Sequence, residues 1–173
     1  MHVFLTGFMG SGKSHTGRRL ADLLGRPFHD LDHCIERLDG RRIAEIFAQD
    51  GEAFFRQLEQ RALQQATAGE RSVIATGGGT PCFFDNADWM NSHGLTVYLR
   101  TPANVLLQRL KPEMAHRPLL QGLDDEQLQQ FITGKLAERE PFYLKATVVY
   151  DQSAVEEDVA RALYRQFSNI IGH

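Results

Sequence analysis

Gly7-Phe8-Met9-Gly10-Ser11-Gly12-Lys13-Ser14 is the stretch on which the reading of this chain turns. It follows a short apolar run, His2-Val3-Phe4-Leu5-Thr6, and precedes a segment in which Lys13, Thr16, Leu20, Leu23 and Leu24 recur at helical spacing. A buried strand that turns through glycines into a helix is the setting in which G-x-x-x-x-G-K-S works. Its backbone N–H groups turn inward around phosphate oxygens, and the helix N-terminus presents partial positive charge to the same point. Lys13 can then reach the β- and γ-phosphates of a nucleotide, and the Ser14 hydroxyl can join a Mg²⁺ shell. Gly25 and Pro27 mark the end of the helix.

Working outward, Pro27-Phe28-His29-Asp30-Leu31-Asp32 reads as a second short strand running into acidic residues. Helical stretches are expected around 35–38 with 43–49, and over 52–66. A third strand, 72–75, runs directly into Thr76-Gly77-Gly78-Gly79-Thr80. A fourth covers 95–99, a helix 102–110 has Pro102 in its first turn, and 111–122 is a loop holding two prolines and a glycine. A helix over 124–138, a strand over 146–150 and a closing helix over 155–171 complete the chain. Strands that alternate with helices predict an α/β domain, 1–173, whose mainly parallel sheet carries helices on both faces.

Composition narrows the function. The 173 residues are 42% apolar and 24% charged, an ordinary globular mixture that needs no disulfide framework. Nineteen basic against 22 acidic side chains give a net charge of −3, which argues against a broad nucleic-acid surface while leaving room for a local basic pocket. Cys34 and Cys82 are far apart and read as free thiols of a reducing compartment. The opening apolar run is too short for a signal peptide, and nothing approaches the roughly 20 apolar residues of a membrane span. A soluble, cytoplasmic protein is expected, without membrane or nucleic-acid partners.

Several further residues suit phosphoryl chemistry. Asp30 and Asp32 point the same way if strand geometry persists: one can orient Mg²⁺ through water, and the other can fix a substrate hydroxyl or take its proton. The plainer alternative is a solvated strand end with Asp32 as a helix N-cap. His29 and His33 flank the pair, but no further His or Cys falls at zinc-ligand spacing. Arg56 and Glu59 are neighbours on one helix face, which by itself describes a surface ion pair. Gly77-Gly78-Gly79 follows the carboxyl end of a strand, where open α/β sheets bind ligands. Arg117 lies in the 111–122 loop and could cover a transferring phosphoryl group. Arg139, at the end of the 124–138 helix, would complement its dipole without any ligand.

Taken together, the phosphate loop, Asp30-x-Asp32, Phe55-Arg56-x-x-Glu59, Gly77-Gly78-Gly79, Arg117-Pro118-Leu119-Leu120 and Arg139-x-Pro141-x-Tyr143 resemble shikimate kinases, in that family's order and with similar spacing. The resemblance implies ATP-dependent phosphorylation of the 3-hydroxyl of shikimate, within aromatic amino-acid biosynthesis. It implies a nucleoside-monophosphate-kinase-like three-layer fold with five parallel strands in the order 2-3-1-4-5. A substrate-binding helical region at about 31–62 and a lid at about 111–122 would lie within the one domain, acting as a monomer. Carried over residue by residue, Gly10, Ser11, Gly12, Lys13, Ser14 and His15 would hold the nucleotide phosphates, with Mg²⁺ on Ser14 and, through water, on Asp30. Asp32 would bind shikimate hydroxyls and serve as base; Arg56 and Arg139 would grip the carboxylate, with Glu59 holding Arg56. The Gly77-Gly78-Gly79 turn would meet the substrate through the Gly78 N–H, and Arg117 would close from the lid onto ATP.

Three features depart from the family pattern. Arg109, which resembles an arginine that stacks near adenine, lies one position further from Arg117 than the pattern expects. The region between Tyr143 and the last helix is shorter than in many members, and Gln152 is the residue read there as a nucleotide-base contact. The apolar stretch Pro81-Cys82-Phe83-Phe84-Asp85-Asn86 has no catalytic explanation at this level. Competing readings are a gluconate-type or nucleoside kinase, a GTPase (for which the Asn-Lys-x-Asp base-reading motif is missing) and a non-catalytic regulatory domain of the same fold.

Overall fold

The structure is a computed structural model, and it describes residues 1–152 and 158–171. Five parallel strands form one sheet in the order β2-β3-β1-β4-β5. They are β1 (His2–Thr6), β2 (Phe28–Asp30), β3 (Val73–Ala75), β4 (Gly94–Arg100) and β5 (Val148–Asp151). The central strand is apolar at Val3, Phe4 and Leu5 because both of its faces are covered. Val3 and Leu5 point to one layer, where Leu20 of α1 (Lys13–Leu24) and Leu163 and Phe167 of α7 (Val159–Ile171) pack. Phe4 points to the other, against Leu31 and Ile35 of α2 (Leu31–Asp39), Ile46 and Leu63 of α3 (Ile43–Ala66) and Met90 of α4 (Asn86–His93). A third cluster, built on Phe8, Tyr98 and Tyr143, joins α5 (Ala103–Leu110) and α6 (Asp125–Tyr143) to Leu120 of the 111–122 segment.

Several expectations need correction. Helix α2 begins at Leu31, so strand geometry does not persist to Asp32. The N-cap is Asp30, whose carboxylate accepts from the Asp32 N–H at 3.1 Å. The expected division between 43–49 and 52–66 is, by contrast, observed: Gly51, with φ 80° and ψ −178°, breaks the helical backbone of α3 into two helices at that point. The 111–122 segment is not plain loop but holds two 3₁₀ turns, Lys111–His116 and Pro118–Leu120. A 3₁₀ turn at Thr80–Cys82 and the whole of α4 lie where no element was expected, both being short and weakly patterned.

Helix α6 runs on to Tyr143, past Pro141, so Arg139 sits inside it and the last turn carries no basic residue. The dipole explanation for Arg139 therefore falls. Buried Tyr143 anchors the extra turn, its hydroxyl donating to Gly78 O at 2.6 Å. Residues 155–157 of the expected closing helix lie outside the described residues. Cys34 and Cys82 are free thiols, and among the described residues no helix is long and apolar enough to cross a membrane.

Candidate active site

The chain leaves β1, β2, β3 and β5 into one cavity of about 860 Å³ at their carboxyl ends, lined by Gly10, Asp30, Thr76 and Gln152 among others. At its floor, α1 starts behind Gly12, which is left-handed at φ 87° and carries no side chain over the first-turn N–H groups. Gly10, Ser11, Gly12, Lys13, Ser14 and His15 all line this cavity. The Lys13 ammonium donates to Gly7 O at 2.8 Å and Phe8 O at 2.9 Å, bracing the loop it belongs to. Burial, reinforced by Arg117 and Arg139 and opposed by Asp32 and Asp30, lowers its pKa to about 8.

Asp32, in the first turn of α2, faces the same cavity. Its carboxylate is reached by water from the open side but is otherwise surrounded by protein. That desolvation, followed by the like charges of Asp30 and Glu59, raises its pKa to about 6. A carboxylate poised there can accept a proton near neutral pH.

Arg56, Glu59 and Arg139 do not line the cavity itself; the glycine turn connects them to it. A Cβ at Gly77 would lie 2.9 Å from Glu59 Oε1 and 3.5 Å from Asp32 Oδ1. One at Gly78 would lie 3.2 Å from Arg139 Nη1 and 3.6 Å from Met9 N in the phosphate loop. One at Gly79 would lie 2.7 Å from both terminal nitrogens of Arg56. Three successive residues without side chains thus let an acid, two arginine forks and the phosphate loop converge. Glu59, 1% exposed, accepts from Arg56 Nη1 at 2.8 Å and from Thr80 Oγ1 at 2.7 Å. Arg139 makes no ion pair among the described residues and lies 5.8 Å from the centre of the Phe8 ring.

On the lid, Arg117 lines the cavity and is held by Glu113, with Nε and Nη2 donating to one carboxylate oxygen at 2.9 and 2.5 Å. Arg109 reaches the phosphate loop despite its offset, donating to Gly10 O at 3.1 Å and to Gln152 Oε1 at 3.4 Å. Gln152 in turn donates to Ser11 O at 2.9 Å.

The family model for shikimate kinase matches residues 9–168. The chain belongs to the shikimate kinase family. It is 42% identical over 157 residues to the shikimate kinase of Bacteroides thetaiotaomicron, covering 91% of this chain and 90% of that one. To the shikimate kinase of Bacteroides fragilis it is 44% identical over 165 residues, covering 92% of each. Among solved structures, the B. thetaiotaomicron shikimate kinase superposes with a TM-score of 0.90 at 38% identity, covering 100% of this chain and 99% of that one. A shikimate kinase from Acinetobacter baumannii in complex with shikimate superposes with a TM-score of 0.81 at 37% identity, covering 98% and 92%. The sheet order expected from the family motifs is the one observed.

Kinases of this family are ATP-using and generally Mg²⁺-dependent, and the donor set here fits that ion. The Ser14 hydroxyl donates to Asp30 Oδ2 at 2.6 Å, placing two hard oxygen atoms together at the phosphate end of the cavity. Among the described residues no group of three or more His, Cys, Asp or Glu could hold a metal on its own. The Ser14 and Asp30 oxygens are the hard donors that Mg²⁺ prefers, an ion that keeps several waters and takes further ligands from substrate phosphates.

Sequence reasoning passed over three residues that contact the candidate site. Thr80 braces Glu59, Tyr143 braces Gly78, and the Phe83 ring centre lies 4.0 Å from the Arg56 guanidinium carbon. Thr80 and Tyr143 stood within quoted motifs without a role. For Phe83 the only signal was an apolar stretch with no structural reason to be apolar.

Proposed function

We propose that the chain transfers the γ-phosphoryl group of ATP to the 3-hydroxyl of shikimate, giving shikimate 3-phosphate and ADP. The observation that carries this reading is the Gly77-Gly78-Gly79 turn, against which Asp32, Arg56 and Arg139 gather beside the phosphate loop. Arg56 and Arg139 project from different helices, α3 and α6, so their forks can take one substrate carboxylate between them. The hydroxyls of the ring meet Asp32 and the Gly78 N–H.

In the transfer step the 3-hydroxyl oxygen forms a bond to the γ-phosphorus while the bond from that phosphorus to the β,γ-bridging oxygen breaks. Asp32 takes the hydroxyl proton onto its carboxylate. Lys13 and the N–H groups of Gly10, Ser11, Gly12, Ser14 and His15 hold the phosphates in place, and Arg117 neutralises charge from the lid side. Mg²⁺, when bound through Ser14 and the Asp30-held water, supplies further charge neutralisation on the phosphates. Arg109 and Gln152 steady the phosphate loop on the nucleotide side. The region 31–62 is read as the substrate-binding part and 111–122 as the lid of a single cytoplasmic, monomeric domain.

An ADP-release assay run with shikimate, gluconate and a nucleoside panel tests the reading. Turnover with shikimate alone is expected. Turnover with gluconate or a nucleoside but not shikimate would overturn it.

A further inference from the structure

The stretch Pro81-Cys82-Phe83-Phe84 belongs to neither the phosphate loop, the acid pair nor the lid, yet the fold brings it to the carboxylate end of the cleft. Thr80 ties the start of this stretch to Glu59, and the Asn86 amide donates to Thr80 O at 3.0 Å across the loop. Gln60 of α3 donates to Asp85 Oδ1 at 3.2 Å. Between these anchors, Phe84 has φ 50°, and it is the only non-glycine with positive φ among the described residues. A bulky side chain adopts that conformation only where its surroundings force it. Phe84 itself is 59% exposed, so no packing of its own ring explains the strain. Its neighbour Phe83 is half-buried, and the Phe83 ring centre lies 4.0 Å from Arg56 Cζ, closer than the Phe55 ring at 5.1 Å.

We propose that Phe83 is a positioning residue for Arg56, its ring confining the guanidinium so that shikimate affinity depends on an aromatic face at this position. The proposal rests on Arg56 being a carboxylate grip. Arginine has five N–H donors. Glu52 takes those of Nε and Nη2 at 3.4 and 3.3 Å, and Glu59 takes one from Nη1 at 2.8 Å. One N–H on each terminal nitrogen is left, beside the space that Gly79 keeps clear. A third acid would restrain the side chain by consuming those donors. An aromatic ring restrains it through cation–π attraction and leaves them for the substrate, while also excluding water that would compete for them.

The test compares Phe83→Leu, Phe83→Met, Phe83→Tyr and Arg56→Ala by shikimate calorimetry, steady-state kinetics in both substrates and thermal melting. The Leu and Met variants keep an apolar side chain without the π face. They are expected to weaken shikimate binding by about five- to thirty-fold, with KM for ATP unchanged. Phe83→Tyr is expected to stay within about twofold of the parent. The proposal is overturned if Leu and Met bind shikimate like the parent, or if Tyr is as weak as Leu. Failure of both Leu and Met variants to fold also overturns it, because Phe83 would then serve the core rather than Arg56. Arg56→Ala separates the two ideas. If it binds shikimate like the parent, the carboxylate assignment is lost; if it is weak while Phe83→Leu is unaffected, only the role of Phe83 is.

Discussion

Glu59 and Arg56 stand one turn apart on α3 and form a buried ion pair, Nη1 to Oε2 at 2.8 Å, with Arg56 9% and Glu59 1% exposed. A pair this enclosed contributes little net stability against an apolar alternative, but breaking it strands a charge. Glu59→Ala is expected to destabilise the fold by about 3–5 kcal/mol and to raise KM for shikimate. Glu59→Gln, which can still accept from Arg56, should cost less on both counts. Urea unfolding and shikimate saturation curves check this.

Asp32 has its folded-state pKa raised to about 6, chiefly by burial. Its base form therefore grows in as pH rises through 6, and kcat/KM for shikimate should rise over the same interval and level off above it. The stability effect has the opposite sense. Ionising a carboxylate whose pKa is raised above its unfolded value of 3.8 removes stability between pH 3.8 and about 6. Asp32→Asn should thus abolish turnover yet raise Tm at pH 8 and leave it unchanged at pH 3. Because the carboxylate is open to water on one side, the gain is discounted to about 1 kcal/mol, or about 2–4 °C. A lower Tm for the variant at pH 8 would contradict the electrostatic picture.

Lys13, lowered to about 8 by burial, loses its charge within reach of ordinary assay conditions. In the free enzyme kcat/KM for ATP is expected to fall above pH 8, while kcat, measured with phosphates beside the ammonium, should fall only at higher pH. Lys13→Met should lower kcat by about 10²–10³-fold with a native circular dichroism spectrum.

Gly79→Ala places a methyl 2.7 Å from both Arg56 terminal nitrogens, at the edge assigned to the substrate. Backbone strain does not enter, since Gly79 has φ −94°. The expected outcome is a variant that folds, binds ATP normally and has a KM for shikimate raised about tenfold or more. An unchanged KM would place the carboxylate elsewhere.

Arg117 is held by Glu113 and must exchange that partner for phosphate when it acts. Arg117→Ala should depress kcat far more than it weakens shikimate binding. Glu113→Gln, which frees the guanidinium, should lower KM for ATP. Steady-state kinetics against both substrates distinguish these effects.

The parts of the site that were legible in the chain are those built from consecutive residues. The phosphate loop is one, because its function resides in backbone N–H groups whose arrangement follows from glycine spacing. The Asp30-x-Asp32 pair was legible as chemistry but not as geometry. Strand alternation gave way to a helix start at Leu31, and the carboxylate that caps it is Asp30. Arg139 was misplaced for a similar local reason: it was read at the end of a helix over 124–138, whereas burial of Tyr143 carries that helix on through Pro141. Phe83 showed only as part of an unexplained apolar stretch, since its contact is with a residue 27 positions away.

By itself the amino-acid sequence determined the alternation of strands and helices, the nucleotide loop and, through the joint motifs, the family, because each of these depends on local spacing and backbone preference. Tertiary structure alone decided which charges meet. A glycine turn after β3 gathers side chains from α2, α3 and α6 that are scattered along the chain and leaves Arg56 buried, while desolvation at the cavity raises Asp32 and lowers Lys13. Electrostatic character of this kind comes from desolvation and close approach in space, which residue order does not encode position by position.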